Sequence, residues 1–302
     1  MKQNLRKKAL VPAIAMVLAS VIALTGVTYA WFTTGNTASV TGLDVNVQTA
    51  NGIQISLDAA AWRSILTADD LIEATTKNNV SVQFPTNEIA PVSTAAKIVD
   101  GKMEMFLGAY AQNGTLTSVK DPETTGTNGN YVAFDLYVKS SMAQTLTLDK
   151  GENLSYVKCV DLINGGASNV GTEKAVRVAF LDMGSAATPA AARALKAVES
   201  TKIWEPNAYS RADGVEADAG KLPYSGFNSE FSNIAEDALG AAQVTPVETM
   251  TDADSFTFEL EAGINKIRIY IWLEGQDADC INNISFGDFT TNLAFSVPEV
   301  EG

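Results

Sequence analysis

Two segments of this sequence carry apolar side chains at every second position, and this alternation constrains the fold more than any other feature. The apolar positions are Val132, Phe134, Leu136 and Val138 in residues 131–139, and Ile267, Ile269 and Ile271 in residues 267–272. Successive side chains of an extended chain point to opposite faces, so a period of two is typical of strands with one face in a core. The alternation therefore predicts a sheet protein.

Further segments have the length and the composition of strands. They are residues 38–48, 53–57, 80–84, 103–111, 145–149, 154–163, 175–181, 255–261 and 292–297. Asn-Gly pairs, which suit the positive φ angles of tight hairpins, occur at residues 51–52, 113–114, 128–129 and 164–165. Many short strands with such turns predict an all-β fold, a jelly-roll-like sandwich of two antiparallel sheets.

A few short helices are expected in an insertion into this sandwich. Thr188 is a helix-capping residue directly before Pro189, which suits the first helical position, and residues 190–198 continue as a strong helix-forming segment. A second helix is predicted over residues 231–238, where apolar residues recur on one face. We therefore expect one sandwich domain over residues 31–302, with a helical and irregular insertion at about residues 183–250.

Residues 1–30 have the order of a secretory signal peptide. A basic cluster is followed by an apolar run over residues 9–24 and by small residues before the end of the leader. The basic residues are Lys2, Arg6, Lys7 and Lys8. We expect a signal peptidase to cut between Ala30 and Trp31, which leaves a secreted, extracellular or cell-surface protein. The alternative is an uncleaved leader that holds the chain in a membrane, although a span needs about 20 apolar residues.

The charge and the missing histidine exclude several classes of function. The 302 residues include 21 Lys and Arg, 35 Asp and Glu and no histidine, which gives a net charge of −14. Catalytic triads with histidine and HExxH zinc sites are therefore excluded. An acidic chain lacks the positive surface that phosphates require, so we expect no nucleic-acid partner.

Two short motifs match catalytic or sorting signals only in part. Ser155 and Lys158 have the S-x-x-K spacing of serine acyl enzymes, but they lie in a predicted strand and no K-T-G follows. Residues 222–226, Leu-Pro-Tyr-Ser-Gly, are similar to a sortase signal but lack the terminal apolar tail that such a signal needs. An ordinary strand and a turn are expected. Glycoside hydrolysis by two carboxylates is the main enzymatic route left open, and we expect no enzyme.

Acidic loops give a weak indication of Ca²⁺ binding. The candidate groups are Asp252 with Asp254, Asp213 with Glu216 and Asp218, and Glu274 with Asp277 and Asp279. None has the spacing of an EF-hand loop. We therefore expect solvated loops without a metal site or cofactor, and Ca²⁺ binding is the weaker alternative.

The cysteines and a few aromatic and amide residues leave alternatives open. Cys159 and Cys280 both follow the leader and lie near predicted strand ends, so either a disulfide between them or two buried free thiols fits the sequence. Residues of types common on sugar-binding surfaces are Trp62, Trp204, Gln83 and Asn87. Aromatic residues are more often part of a core, so a sugar-binding surface is the weaker reading.

The leader junction carries a resemblance to a known family. The small residue Ala30 is followed by the aromatic pair Trp31 and Phe32, a short polar stretch, and Gly-Leu-Asp-Val at residues 42–45. This order resembles TasA/camelysin-like proteins, which are exported through a SipW-dependent signal peptidase. The leucine here follows the glycine directly, whereas the family has an intervening residue.

The resemblance implies a jelly-roll-like sandwich and an extracellular structural subunit. In that family, fibres form when the mature N-terminal strand is donated to the incomplete sheet of a neighbour, which is pairing of an extended segment with a sheet edge. Residues 31–48 are the candidate donor strand in this chain. Its apolar and aromatic residues are Trp31, Phe32, Val40, Leu43, Val45 and Val47. The alternative is an edge strand of the same chain.

The leading functional hypothesis is a secreted, non-enzymatic cell-surface or biofilm-matrix subunit that associates with itself into a homopolymer. Some camelysin-like relatives are labelled metallopeptidases, and the absence of histidine argues against that activity here. The alternative is an adhesin or ligand-binding module that recognises a host glycan or protein. In either case, we expect contact with a membrane only through the uncleaved leader.

Overall fold

The computed structural model of the chain describes residues 43–49, 53–94, 96–110, 116–151, 154–159, 171–207, 255–275, 277, 280 and 288–298. The strands are β1 Leu43–Thr49, β2 Gln54–Ser56, β3 Ile65–Leu66, β4 Val82–Gln83, β5 Val92–Ser93, β6 Ile98–Val99, β7 Lys102–Met103, β8 Phe106–Tyr110, β9 Leu116–Lys120, β10 Val132–Ser140, β11 Gln144–Leu148, β12 Tyr156–Cys159, β13 Val176–Ala186, β14 Ser200–Trp204, β15 Thr257–Leu260, β16 Gly263–Leu273 and β17 Phe289–Ser296. The helices are α1 Ala68–Ala74, α2 Pro189–Ala194 and the 3₁₀ helix Thr172–Ala175.

Two sheets of six strands form the body of the fold. The first sheet has the order β15-β11-β17-β1-β3, and β12 also pairs with β17. The second sheet has the order β14-β13-β16-β10-β2, and β4 also pairs with β10. The predicted all-β sandwich is confirmed. One strand pair departs from the antiparallel pattern, because β1 runs parallel to β17.

The inner faces of the two sheets share one apolar core. The ring of Phe180 in the second sheet lies 5.5 Å from that of Phe258 and 6.2 Å from that of Phe295, both in the first sheet. The predicted alternation is confirmed in β10 and β16, whose inward side chains are buried in this core. They are Val132, Phe134, Leu136, Val138, Ile267, Ile269 and Ile271.

The opposite face of the second sheet is also buried, because a third layer covers it. Two small sheets, β5-β8-β9 and β6-β7, lie over this face. Their side chains form a second apolar cluster with those of β10, β13 and β16. It includes Val92, Met103, Met105, Phe106, Tyr131, Ala133, Leu181, Tyr270 and Trp272. We call residues 92–94, 96–110 and 116–124 the outer layer.

The predicted helix after Thr188 is confirmed, although it is shorter than expected. The hydroxyl of Thr188 accepts a hydrogen bond from the amide of Ala191 at 3.3 Å, and the helix begins at Pro189. The prediction of an insertion from about residue 183 is wrong at its start. Residues 183–186 continue β13, and β14 extends the same sheet. The second predicted helix, at residues 231–238, lies outside the described residues.

A helix outside the insertion was not predicted from the sequence. α1 begins after Thr67, whose side chain accepts from the amide of Asp70, while the Asp70 side chain accepts from the amide of Thr67. This reciprocal capping box satisfies two backbone donors at the start of the helix. Within the described ranges, no helix is long and apolar enough to cross a membrane.

The Asn-Gly pairs differ in what they connect. Residues 113–114 fall in the connection between β8 and β9, which pair as an antiparallel hairpin, although the pair itself lies outside the described residues. Asn128 and Gly129 precede β10, which pairs with β16, β2 and β4 rather than with β9 in the described part of the chain. The other two pairs lie outside the described residues.

Candidate functional site

β1, the first strand of the described residues, lies inside the first sheet. β1 pairs with β17 over its whole length, from Leu43 opposite Phe289 to Thr49 opposite Phe295. On its other side, only two residues of β1 pair with β3. The rest of β1 is therefore paired on one side only, as far as the described residues show.

Val47 connects this strand to the core. Its side chain is fully buried. It lies opposite Leu293 of β17 and Leu66 of β3, which are also buried. Every ladder partner of β1 is therefore remote in sequence or separated from it by β2.

In a single copy, the described residues of the candidate donor strand pair within their own chain. Leu43, Val45 and Val47 all lie on β1, which pairs within its own chain. The alternative of an intramolecular strand therefore applies to these residues in the isolated chain, although β1 is inside the sheet and not at its edge. Trp31, Phe32 and Val40 lie outside the described residues, and so does the predicted cleavage site between Ala30 and Trp31.

A second candidate site is a buried cluster of charges on the outer face of the second sheet. Nη1 of Arg268 donates to Oδ1 of Asp135 over 2.5 Å, and Nη2 of the same guanidinium forms an ion pair with Glu123. Nε of Arg268 donates to the hydroxyl of Tyr270 at 2.9 Å. Arg268 is only 2% exposed and Asp135 only 4%. Such buried charges are tolerated only when they are paired.

Two lysines complete this group, which we call the Arg268 cluster. Nζ of Lys266 lies 3.2 Å from Oδ2 of Asp135 and donates to the carbonyl of Leu195 after α2. Nζ of Lys102, on β7 of the outer layer, lies 2.9 Å from Oε1 of Glu123. The cluster therefore joins β10, β16, the chain after α2 and the outer layer.

The electrostatics of the Arg268 cluster favour fixed charges. Burial alone would raise the pKa of Glu123, but the nearby Arg268 and Lys102 bring that pKa below its ordinary value. Burial and the neighbouring Glu123 carboxylate raise the pKa of the Tyr270 phenol. At neutral pH, the carboxylate is thus ionised and the phenol keeps its proton. A general acid–base pair needs groups that titrate near the working pH, and the shifts of Glu123 and Tyr270 move both groups away from neutral pH.

Two further groups of buried polar side chains lie beside the outer face. Nη2 of Arg177 is 3.1 Å from Oε1 of Glu205 and also pairs with Asp277. The carboxylate of Glu274 accepts from the hydroxyl of Ser93 and from the indole N–H of Trp272. Because Ser93 belongs to β5, Glu274 is a second attachment of the outer layer.

Two of the Ca²⁺ candidate residues, Glu274 and Asp277, lie among the described residues. Glu274 and Asp277 are both engaged with other side chains, as described above. The remaining candidate residues lie outside the described residues. In the part of the chain that the structure describes, no group of three or more histidine, cysteine, aspartate or glutamate residues could hold a metal ion together.

No disulfide joins Cys159 to Cys280 in the structure, in which Cys280 is buried and Cys159 is half-buried. Burial raises the pKa of the Cys159 thiol, and the hydrogen bond and negative charge of Glu173 raise it further. A raised pKa leaves little thiolate at neutral pH, so this is not an activated nucleophile.

The S-x-x-K residues lie in a strand environment, as predicted. The hydroxyl of Ser155 donates to the carbonyl of Ala294 at 3.2 Å and accepts from its amide at 2.8 Å. Nζ of Lys158 lies 4.3 Å from the centroid of the Tyr156 ring. The Ser155 side chain therefore binds the backbone of β17 in the first sheet. The Lys158 side chain contacts a neighbouring ring on β12.

The residues named for a sugar-binding surface do not form one. Trp204 is fully buried in the inner core, and Gln83 is 1% exposed. Nε2 of Gln83 donates to the carbonyl of Tyr131 at 2.8 Å, and its Oε1 accepts from the amide of Thr124 at 2.6 Å. Trp62 lies elsewhere, beside the ammonium of Lys139 at 5.6 Å. This reading of the sequence is wrong for Trp204 and Gln83.

A surface pocket of about 30 Å³ lies between α1 and residues 57–63. Its rim carries Arg63 paired with Asp70, and Asp58, which accepts from the hydroxyl of Ser56 at 2.8 Å. The volume is enough for roughly two water molecules. The charges at its rim are engaged with one another and with the backbone of the adjoining turn.

The Arg268 cluster was not predicted from the sequence, although one signal for it was present. Asp135 and Arg268 both lie in the alternating segments, on the face opposite the apolar one. Charges there fit a solvated face equally well. Only the presence of Tyr270 and Trp272 on the same face indicated that something covers it. Comparisons of the chain with protein families, with characterised proteins and with solved structures found no match.

Proposed function

We propose that the chain is an exported, non-enzymatic subunit of a cell-surface or biofilm-matrix polymer. In this proposal, subunits join when β1 of one copy takes the place of β1 in the first sheet of a neighbour. The observation that carries the proposal is the pairing of β1 with β17 along its whole length. The resemblance of the leader junction to TasA/camelysin-like proteins supports it as well.

A strand can be exchanged between copies when its contacts do not depend on its own neighbours in sequence. β1 satisfies this condition, because its partners lie in residues 289–295 and 65–66 and its buried side chain, Val47, packs among them. The same hydrogen bonds and the same apolar contact would form between two copies. Residues 50–53 are the connection from β1 to the rest of the chain, so this is where the two copies would separate.

The order of the chain supports a link between assembly and export. The predicted leader ends at Ala30, a short distance before β1. Cleavage there would free the N-terminal end of the donor segment only outside the cell, where a polymer is useful. The buried charges of Arg268 and Arg177 support a non-enzymatic role, since each guanidinium is paired with buried carboxylates.

The test compares two valine substitutions in the protein that begins at Trp31. Val47→Asp places a charge in the buried position of β1, whereas Val119→Asp changes a side chain that is 52% exposed. We expect fibres by electron microscopy from the unchanged protein and from Val119→Asp, and none from Val47→Asp.

A peptide experiment covers the case in which Val47→Asp does not fold. A synthetic peptide of residues 43–49 in excess should occupy the acceptor sheet and shorten the fibres, and a scrambled peptide should have no effect. A mature protein that stays monomeric at high concentration, or fibres that persist without residues 31–49, would contradict the proposal.

A further inference from the structure

The two faces of the second sheet are covered in chemically different ways. The inner face meets the first sheet through apolar side chains, with phenylalanine rings of both sheets in contact. The outer face meets the outer layer through an apolar cluster and through buried carboxylates with their partners. Acid neutralises carboxylates but leaves apolar contacts unchanged. The two interfaces should therefore respond differently to pH.

Carboxylates provide specific attachments of the outer layer to the sheet. Glu123, which follows β9, pairs with Arg268 of β16 and with Lys102 of β7. Oε2 of Glu123 also accepts from the hydroxyl of Tyr270 at 2.9 Å. Tyr270 in turn accepts from the amide of Met103 at 3.0 Å, which fastens β7 to the same point.

Glu274 provides the attachment at the other end of the layer. Its carboxylate binds the hydroxyl of Ser93 in β5 and the indole N–H of Trp272 at 3.0 Å. The amide of Gly275 donates to the carbonyl of Val92 at 2.9 Å beside it. Strand β5 is therefore held by a carboxylate, as β7 is.

We infer that the outer layer is a cover that acid releases while the two-sheet sandwich stays folded, and that release exposes the aromatic face formed by Tyr131, Tyr270 and Trp272. The inference concerns the folded chain alone and does not depend on export or polymerisation. In this inference, the buried charges attach the outer layer in a way that depends on pH. An apolar interface of the same size would not depend on pH in this way.

The groups around Glu123 set the direction of the pH effect. Arg268 and Tyr270 face it from β16, Lys102 from β7 and Tyr131 from the position directly before β10, and Arg268 also pairs with Asp135 of β10. The cations hold the pKa of Glu123 below its ordinary value of 4.5, so the ionised form is the one that stabilises docking. That stabilisation is complete above the ordinary pKa and is lost as the pH falls through the folded one.

The experiment uses two tryptophans that report on the two interfaces separately. Trp204 lies in the inner core and Trp272 lies in the cluster beneath the outer layer. The full chain is labelled with 5-fluorotryptophan, and the ¹⁹F resonances are assigned with Trp204→Phe and Trp272→Phe. The pH is lowered from neutral to about 2. We expect the ¹⁹F chemical shift of Trp272 to reach the value of a solvent-exposed tryptophan at a higher pH than the shift of Trp204 does.

A matched pair of substitutions tests the carboxylate itself. Glu123→Gln removes the buried charge and should move the acid midpoint of Trp272 towards neutral pH by at least about one unit. Asp100→Asn changes a carboxylate on the β6–β7 turn whose ion pair with Lys196 is exposed, and it should leave that midpoint unchanged. If Glu123→Gln does not fold, the titration of the unchanged protein still tests the inference, because it compares Trp204 with Trp272 in the same chain.

Two results would overturn the inference. In the first, Trp204 and Trp272 change together at one pH, which means that acid unfolds the whole chain in one step. In the second, Glu123→Gln has the same Trp272 midpoint as the unchanged protein and as Asp100→Asn, which means that Glu123 does not fasten the layer.

Discussion

Asp135 of β10 lies directly opposite Arg268 of β16, and the guanidinium donates to the carboxylate over 2.5 Å. The two residues belong to neighbouring strands of the second sheet and point away from the inner core. In a sandwich of only two layers this face would be in water. Here the outer layer covers the pair, so a cross-strand contact that would be weak at the surface becomes a buried ion pair.

Removing one partner of this pair should be strongly destabilising. In Asp135→Asn the cations Arg268 and Lys266 stay buried with less compensation, and we expect a loss of about 3–5 kcal/mol in the free energy of unfolding. Urea unfolding at neutral pH measures it. Asp100→Asn, at an exposed ion pair, should cost less than about 1 kcal/mol. Equal losses in the two variants would contradict the role given to the buried pair.

Alanine substitutions at two glycines before β10 should distinguish two causes of destabilisation, backbone strain and lack of space for a side chain. Gly126 has a φ of +131° and Gly129 one of +107°, both unfavourable for other residues. A Cβ at Gly129 would lie 2.6 Å from Nε2 of Gln83, whereas a Cβ at Gly126 would meet nothing within 4 Å. Gly126→Ala should therefore cost about 1–3 kcal/mol of strain, and Gly129→Ala should cost more. Thermal unfolding compares them. A Gly126→Ala variant that is the less stable of the two would contradict this account.

The capping box of α1 should give a defined dependence of stability on pH. Burial alone would raise the pKa of Asp70, but hydrogen bonds from Thr67 and the charge of Arg63 bring it below its ordinary value of 3.8. Ionised Asp70 thus stabilises the folded state above that value, and its contribution disappears as the pH falls through the folded pKa. Asp70→Asn should therefore be less stable than the unchanged protein at neutral pH.

The difference between these two proteins should shrink in acid. Urea unfolding of both at several pH values measures it, and Asp69→Asn, in the same first turn, serves as the control. A difference that stays constant down to low pH would show that the charge of Asp70 is not responsible.

The thiol of Cys159 should react slowly with iodoacetamide at neutral pH. Burial and Glu173 raise its pKa above the ordinary 9.0, so little thiolate is present. Glu173→Gln removes the negative charge and should accelerate alkylation, as measured by mass spectrometry of the modified peptide. Glu259→Gln, at an exposed position of β15, is the control. A Cys159 that cannot be alkylated until the protein is reduced would indicate a disulfide instead of free thiols.

Sequence patterns predicted the central strands well, because those strands obey a local rule. β10 and β16 alternate apolar and other residues, and Thr188 before Pro189 marks the start of α2. Among the short strands, β2 and β4 fall within the predicted segments 53–57 and 80–84, whereas others were missed or merged. The predicted strand at residues 103–111 is divided between β7 and β8, and β14 lies where an irregular insertion was expected. Two-residue strands have too little pattern to detect, since their partners define them.

The Arg268 cluster could not be predicted from local sequence patterns, because its residues come from distant parts of the chain. Asp135 and Arg268 are 133 residues apart, and Glu123 approaches them from a third element. A charge at an alternating position has the same sequence signature on a solvated face and on a covered one. The covering layer decides between them, and it is built from the short strands β5 to β9.

The amino-acid sequence by itself determined the sheet character of the chain, its acidity, the absence of histidine chemistry and the position of one helix. These properties follow from composition and from the period of two, which act over a few residues. Only the tertiary structure decided that β1 runs parallel to β17 and that the second sheet is buried on both faces. Those facts depend on which distant segments pack together. The contribution of a side chain to stability depends on its burial and its partners, and that packing sets both.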